Sequence, residues 1–310
     1  VAFLLTAGVS FALASAGEGG RGAARARRLK RAVQLILLGY LLRAPFGVWF
    51  GDAWPLALER ALAVDVLQCI GASLVLLELS CAHLVQPAQR ALLGAGLAAL
   101  CLGLGPASEH IVPEGLGLAG LNYLSARAGS LFPLLPWAGY VFAGLAVGQA
   151  VLIWRERAPV ISRWRLVLGA RLGAMGGALC AAAWLLFALL PAYPARVSPP
   201  YALLKLGLVV LVAALLASLL EGRRLPSLLR RLGSETLFLY ASHVLLLYAG
   251  HVGLAARVGA TQSLGLALGW AALLLLGCSA GALSYRRVQR ALRARGGKGT
   301  PRAQPTSFPG

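Results

Sequence analysis

The fold class follows from the stretch LFPLLPWAGYVFAGLAVGQAVLIW, residues 131–154, which contains no Asp, Glu, Lys or Arg. An α-helix of this length is long enough to cross the ~30 Å hydrocarbon core of a bilayer. Pro133 and Pro136 suit the first turn of a helix, where no backbone donor is lost, and Trp137 suits the membrane interface. The stretch therefore predicts a membrane-spanning helix.

Eight further stretches are apolar and of nearly the same length. The chain is 59% hydrophobic and 13% charged, with a mean hydropathy of +0.76, whereas soluble domains contain about 25% charged residues. We therefore predict an all-α, polytopic transmembrane helix bundle with about nine visible spans, the first of them short. Their approximate ranges are 1–16, 32–50, 61–81, 88–105, 131–154, 166–190, 201–220, 234–255 and 263–284.

Lys and Arg are distributed unevenly between these spans. Linkers on one side, together with the C-terminal tail, carry 23 of the 29 basic residues, and the opposite side carries six. The positive-inside rule places the 23-charge side in the cytoplasm, with the C-terminus. Val1 would then start a helix on the outer side, so we expect an earlier, missing span and ten in the complete protein. A signal peptide is the alternative, but its basic residues would precede the apolar stretch, and here they follow it.

Charge and cysteine patterns argue against other classes. The net charge of +19 does not indicate nucleic-acid binding, because only the tail is long and polar enough for a solvated basic face. The five cysteines lie in apolar runs without metal-ligand spacing, so we predict buried apolar cysteines and no metal site. The chain divides into a transmembrane domain, 1–285, and a basic, disordered cytoplasmic tail, 286–310.

Glycines at four-residue spacing predict close packing between helices, because they place one stripe without side chains on a helix. The sets are Gly169, Gly173 and Gly177, then Gly144 with Gly148, Gly265 with Gly269, and Gly277 with Gly281.

Ionisable residues inside spans are functional candidates because lipid does not solvate them. Asp65 is predicted to lie about one turn below the outer surface, with Gln68 one turn deeper on the same side of the helix. Arg43 is a further candidate. Glu78 lies near the inner end of the same span as Asp65, where the side chain of a linker residue can reach the interface.

The stretch TLFLYASHVLLLYAGH, residues 236–251, carries a polar stripe. At ~100° per residue, Thr236, Tyr240, His243 and His251 fall within an arc of about 80°. Lipid cannot satisfy such a stripe, so it is predicted to face the bundle interior or a water-filled cavity. The alternative is that each side chain bonds to a neighbouring backbone and joins helices.

The loop 106–130 is the longest on the outer side. Glu114, Asn122 and Arg127 in this loop, followed by Trp137, are candidates for an acceptor site. Solvated loops without a function have a similar composition, so this alternative stays open.

Four stretches together resemble one family: VAFLLTAGVSFALA (1–14), DVLQCIG (65–71), LFPLLPWAGYVFAGLAVG (131–148) and LGSETLFLYASHVLLL (232–247). They are similar to the heparan-alpha-glucosaminide N-acetyltransferase catalytic-domain family, polytopic membrane proteins with many bacterial members. The resemblance implies acyl transfer across a membrane, from a cytoplasmic acyl-CoA to a sugar amine or hydroxyl on the far side. It also implies a histidine that acts as acyl carrier or general base.

The chain departs from the family pattern at its start. The opening helix, with its Arg-Gly motif and nearby acidic and histidine residues, would precede Val1. The principal catalytic histidine is therefore expected outside this sequence, and its role is not transferred to His243.

The leading hypothesis is a multi-pass acyltransferase of a bacterial inner or plasma membrane, with acetyl-CoA or another acyl-CoA as co-substrate and no bound cofactor. Its partners would be the lipid bilayer and a glycan acceptor, and the bundle is compatible with a homo-oligomer. We expect catalytic roles for His243, His251 and Asp65. Substrate-binding roles are expected for Tyr240, Gln68, Glu114, Asn122, Arg127 and Trp137. Arg163 and Arg165 could bind the donor phosphates, although positive-inside topology alone also explains them.

Two other classes remain open from the sequence. A transporter or lipid flippase could use the stripe as a polar pathway, but no inverted repeat or paired broken span supports it. An inert membrane subunit is the third reading.

Overall fold

The computed structural model describes residues 1–16, 21–44, 61–111, 121–125, 129–157, 163–190, 195–223, 225–248, 254 and 263–296. These residues form α-helices and two short 3₁₀ turns, Gly105–Glu109 and 121–123, with 84% helix and no strand among them. The all-α prediction is therefore confirmed.

We number the helices in chain order. They are α1 (Ala2–Ala16), α2 (Arg21–Arg43), α3 (Val66–Ser80), α4 (Pro87–Gly103), α5 (Leu134–Glu156), α6 (Trp164–Leu189), α7 (Pro199–Leu219), α8 (Ser227–Gly233), α9 (Thr236–Tyr248) and α10 (Leu264–Gly296), with the 3₁₀ turn at Gly105–Glu109 after α4.

The chain divides into two compact units, Val1–Arg224 and Leu225–Gly310. In the first unit, α5 packs against α1, α3 and α4, while α2 pairs with α3 and α6 pairs with α7. In the second unit, α8 and α9 pack against α10. Each unit is described below by itself.

Four helices in the described residues are long and apolar enough to cross a membrane: Leu134–Glu156, Trp164–Leu189, Pro199–Leu219 and Leu264–Val288. Shorter apolar helices are Ala2–Ala16, Val66–Ser80 and Thr236–Leu247. Each of the nine predicted spans overlaps a helix, but the count of nine spans is not confirmed. One reason is that α2 begins with a strongly basic half, which lowers its hydropathy.

The last helix is longer than the sequence predicts. The disordered tail was predicted to begin at residue 286, whereas α10 continues as a helix to Gly296. Residues 297–310 lie outside the described residues.

Helices α1 and α5 touch through their backbones. A Cβ on Gly8 would overlap the Val141 carbonyl oxygen and lie 2.9 Å from the Gly144 Cα, and a Cβ on Gly144 would overlap the Leu5 carbonyl oxygen. Only glycine permits this spacing, so the prediction of close packing at Gly144 is confirmed.

The glycine stripe predicted on α6 is only partly correct. Gly169 packs against the Ala214 carbonyl oxygen, 2.9 Å from an ideal Cβ, but Gly177 has no described residue within 4 Å. The second close contact uses Gly176 instead, which faces Gly207 of α7. The contact face drifts around a straight helix because 3.6 residues per turn do not match an exact four-residue spacing.

The other glycine pairs have different outcomes. Gly148 packs closely against Val9 and Ala12 of α1, as predicted. Gly281 has an ordinary contact with Phe238, 3.5 Å from an ideal Cβ, whereas Gly265, Gly269 and Gly277 have no packing partner within 4 Å among the described residues.

Contacts inside the first unit place alternate loops at opposite ends. At one end, called the Asp65 end, Arg43 pairs with Asp65 and Arg196 pairs with Glu109. The opposite end, called the basic end, contains the start of α2, the α3–α4 loop, and the ends of α5 and α7. This alternation is the one that the Lys and Arg distribution predicts. Which end faces the cytoplasm stays a prediction.

Helix α5 begins at the prolines singled out in the sequence. Pro133 is the N-cap residue with extended backbone angles, and Leu135 is non-helical at φ −97° and ψ 115°. The regular helix therefore starts at Pro136, which loses no intrahelical hydrogen bond there.

Cysteines follow the sequence prediction: Cys69, Cys81, Cys101 and Cys278 are buried, and Cys180 is half-buried. Within the described ranges, no group of three or more His, Cys, Asp and Glu side chains is arranged to hold a metal ion.

We expect Gly144→Ala to lower the free energy of unfolding by about 1–3 kcal/mol, because the new methyl group would force α1 away from α5. Gly177→Ala is the matched control, since it adds the same methyl group where no described residue lies within 4 Å. Its effect should stay within about 0.5 kcal/mol. Equilibrium unfolding from mild detergent into sodium dodecyl sulfate measures both, and equal losses would contradict the α1–α5 contact.

Candidate active site

Asp65 lies at the start of α3 rather than inside it. Its Oδ1 accepts a hydrogen bond from the Val66 backbone N–H at 2.7 Å, and its own backbone N–H donates to Gln68 Oε1 at 3.2 Å. The pair forms a reciprocal capping box, which satisfies backbone donors that a helix start leaves open. The helix within the predicted span 61–81 therefore begins after Asp65, and the depth of Asp65 below the outer surface stays a prediction.

Helix α2 supplies the facing wall. Arg43 Nη1 lies 3.6 Å from Asp65 Oδ2. Gly39, one turn earlier on the same face, leaves space for Gln68, because a Cβ at Gly39 would overlap the Gln68 carboxamide. The capping box and the α2–α3 contact thus hold the two polar side chains together.

Gln68 carries unpaired donors. Its side chain is fully buried, and Oε1 must be the oxygen because it accepts the Asp65 N–H. Its Nε2 atom has no hydrogen-bond partner among the described residues. Leaving a buried amide donor unpaired costs about 1–3 kcal/mol, so the group needs an explanation beyond folding.

The loop before α5 fixes the position of Asp65. Ser130 Oγ accepts from the Val64 backbone N–H and donates to the Asn122 carbonyl, both at 2.9 Å. The Asn122 side chain donates to the Leu62 carbonyl oxygen at 3.2 Å. Asn122, predicted to bind substrate, therefore clamps two loop segments together beside Asp65.

Two tyrosines, one of them directly after Asn122, add a hydrogen bond at this end of the first unit. The Tyr40 hydroxyl donates to the Tyr123 hydroxyl at 3.1 Å. Burial raises the pKa of the Tyr123 hydroxyl well above its usual range, so it stays protonated at neutral pH. Neither tyrosine could be recognised from the sequence, because they lie about eighty residues apart and meet only in the fold.

Trp137 lies at the same end of the first unit. Its ring packs on Phe132 with centroids 4.8 Å apart and on Tyr140 at 5.9 Å. The Phe132 backbone N–H donates to the Val64 carbonyl oxygen at 3.2 Å, which connects this aromatic group to the residue before Asp65.

His243 belongs to the second unit, on α9. Its Nδ1 lies 3.1 Å from the Leu239 carbonyl oxygen, and its ring contacts Tyr240 edge-on with centroids 5.1 Å apart. A carbonyl oxygen only accepts, so Nδ1 carries the proton in this hydrogen bond and Nε2 of the neutral ring carries the lone pair. Tyr240 and His243 are thus adjacent on one face, as the predicted stripe requires.

The predicted donor-binding arginines have structural contacts. Arg165 donates from Nη1 to the Leu220 carbonyl oxygen and, at 2.9 Å, to the Arg223 carbonyl oxygen. These contacts satisfy carbonyl groups that the end of α7 leaves open. Arg163 is the residue that precedes α6.

Glu78 is buried between helices rather than exposed like a linker residue. It is 4% exposed and forms a two-pronged ion pair with Arg28, in which Arg28 Nε donates to Oε1 and Nη2 lies 3.4 Å from Oε2. The sequence missed this pair because the two residues are fifty positions apart.

Three predicted site residues, His251, Glu114 and Arg127, lie outside the described residues. Of the others, the first unit brings Asp65, Gln68, Asn122 and Trp137 to one end and adds Arg43 to them. We call these five residues the Asp65 cluster.

A family model described as "Heparan-alpha-glucosaminide N-acetyltransferase, catalytic" matches residues 1–189, which is more than half of the chain. The chain belongs to this family. Neither a curated protein nor a solved structure matches the chain. Family membership and the apolar helices indicate a membrane acetyltransferase.

The residues matched by the acetyltransferase family extend from α1 to the end of α6. They include the Asp65 cluster, whereas Tyr240 and His243 lie beyond them. The resemblance seen in 232–247 is therefore not part of the family match.

We expect Ser130→Ala to lower the free energy of unfolding by about 1–3 kcal/mol, because the buried Val64 N–H loses its acceptor. Ser10→Ala on the exposed side of α1 is the control and should be nearly neutral. Unfolding in detergent measures both changes. A neutral Ser130→Ala would show that this hydroxyl does not hold the loop beside Asp65.

Proposed function

We propose that this protein moves an acetyl group from a cytoplasmic acetyl-CoA or another acyl-CoA to a sugar amine or hydroxyl on the other side of the membrane. The observation that carries the proposal is the Asp65 cluster inside the family-matched residues, where a carboxylate and an unpaired buried amide lie together. We further propose a location in a bacterial inner or plasma membrane, with the C-terminus in the cytoplasm, on the basis of the uneven distribution of Lys and Arg.

The Asp65 cluster is proposed to bind the acceptor. A protonated sugar amine is attracted by the Asp65 carboxylate, which Arg43 holds in place. Sugar hydroxyl oxygens can accept from Gln68 Nε2, which explains a buried donor that the fold leaves unpaired. Trp137 and its aromatic neighbours form the apolar part of the same end.

Transfer breaks the bond between the acetyl carbonyl carbon and the sulfur of CoA. The carbonyl carbon forms a new bond to the nitrogen of the neutral amine or to the hydroxyl oxygen, and the proton that this atom loses ends on the CoA sulfur. An amine that binds as an ammonium ion first gives up one further proton, through a base, to solvent. A base must accept the proton of the attacking atom while the new bond forms, and a neutral imidazole is suited to this role near pH 7.

His243 is proposed as a residue of the transfer path. The hydrogen bond from Nδ1 to Leu239 leaves the lone pair on Nε2, which is the atom that accepts a proton in general-base catalysis. His251, one stripe position further along, is proposed to line the same path, and Tyr240 supports the His243 ring.

The first test incubates full-length protein in lipid vesicles with labelled acetyl-CoA and glucosamine-type acceptors. We expect labelled product, and we expect His243→Ala to reduce its rate by about 100-fold or more, the usual contribution of a positioned base. His83→Ala, which removes an exposed histidine, is the control. Equal rates for both variants would rule out the role of His243, and gradient-driven uptake without any acyl donor would favour a transporter.

A second test addresses the acceptor site. Gln68→Leu is expected to raise KM for the sugar acceptor by about tenfold while kcat changes less, because a hydrogen bond of about 1.4 kcal/mol is lost. The control is Gln89→Leu, at an exposed position of α4. KM for acetyl-CoA serves as the internal reference, since a general loss of folding would affect both substrates equally.

A further inference from the structure

A second polar site lies at the basic end of the first unit. A partly open cavity of about 230 Å³ is lined by α1, α2, α3, the α3–α4 loop, the start of α4 and α5. Its apolar wall includes Phe11 and Leu152, and its polar wall contains three arginines, Arg25, Arg28 and Arg90. An apolar bundle that gathers three guanidinium groups around one cavity provides a site for an anion.

Two carboxylates, Glu78 and Glu156, line the cavity with the three arginines, so they do not balance all of this positive charge. Glu78 is paired with Arg28. Arg90 donates Nε–H to the Leu84 carbonyl oxygen at 2.9 Å, and its two terminal NH₂ groups lie outside that hydrogen bond. Arg25 forms no hydrogen bond or ion pair with any described residue.

Gln149 supplies an independent observation. This residue of α5 lines the cavity, is 1% exposed, and has an Nε2 atom without a hydrogen-bond partner among the described residues. Buried amide donors are normally paired. An amide donor next to guanidinium donors requires a group with acceptors only, and a phosphate provides several acceptor oxygens.

We propose that this cavity binds a phosphate group, and, resting on the proposed function, that the group is the diphosphate of the acyl-CoA donor. The cavity is smaller than the ~300–1,000 Å³ of sites that enclose a whole drug-sized ligand, so it fits the charged part of CoA and leaves the remainder outside. It lies at the end that the charge distribution predicts to be cytoplasmic, where CoA is available. The phosphate site proposed here consists of Arg25, Arg90 and Gln149. It replaces the sequence-based prediction that Arg163 and Arg165 bind the donor phosphates.

The test measures binding of CoA and of 3′,5′-ADP to full-length protein in phosphatidylcholine nanodiscs. We expect Arg25→Gln, Arg90→Gln and Gln149→Met each to raise the Kd for CoA by about tenfold, the effect of losing a hydrogen bond to a charged group. Acetyl-pantetheine, which lacks the diphosphate, should bind weakly and equally to all variants.

Arg27→Gln is the matched control. It removes the same charge from the same helix, but Arg27 is exposed and does not line the cavity. Its Kd for CoA should change by less than about twofold, as expected for a solvent-screened charge. An equal loss in Arg27→Gln would overturn the site and indicate general attraction to a basic surface.

A stability measurement separates binding from folding. Gln149→Met removes a buried unpaired donor at nearly constant volume, so it should not lower the unfolding midpoint of the ligand-free protein while it weakens CoA binding. A lowered midpoint together with unchanged CoA binding would assign Gln149 a structural role and overturn the proposal.

Anionic lipid is the other source of the same phosphate chemistry. If the headgroup occupies the cavity, nanodiscs that contain phosphatidylglycerol will weaken CoA binding to the unmodified protein, and the assignment to CoA will be overturned. The acetyl-transfer assay separates the two proposals. Tenfold Kd effects without transfer to any sugar would reject the proposed function and retain the site, whereas transfer with unchanged Kd values would reject the site alone.

Discussion

The direct backbone contact between α1 and α5 is the constraint on which the first unit depends. Apolar helices gain little hydrophobic energy by associating in lipid, so close packing at small residues has to hold them together. Gly8 and Gly144 provide that contact, and Gly148 continues it one turn further toward the basic end. Because no side chain separates the helices there, the next residue, Gln149, is enclosed beside α1 and its polar group lines the cavity.

The two ends of the first unit share one chemical feature. Each contains a buried glutamine with an unpaired Nε2, Gln68 near Asp65 and Gln149 near the arginines. An unpaired buried donor is costly, and costs of this kind persist mainly where a site needs them. The charges differ between the ends: one contains the carboxylate of Asp65, and the other contains a group of guanidinium groups. This difference agrees with the proposal that the acceptor binds at the first end and the donor phosphates bind at the second.

Much of the fold could be predicted from the sequence, because apolar length and charge alternation directly report membrane-spanning helices. The capping box was also readable as Asp65 and Gln68 in the DVLQ stretch, a pattern that marks a helix start, so Asp65 could have been placed before α3. Arg28 with Glu78 and Tyr40 with Tyr123 could not be predicted, because such pairs depend on which helices become neighbours. Gly177 was assigned to the wrong face for a related reason, since an exact four-residue spacing does not follow a helix of 3.6 residues per turn.

His243 lies in α9, outside the part of the chain that the family model matches. The match ends at residue 189, so it covers the Asp65 cluster and the residues that line the arginine cavity, but not α9. The role of His243 therefore rests on its own geometry: a proton fixed on Nδ1 by Leu239 and a ring held by Tyr240. A residue that only joins helices would direct its hydrogen bond to another helix, whereas His243 bonds within α9. This local bond orients the imidazole without consuming Nε2, and that is the property a proton acceptor in the path needs.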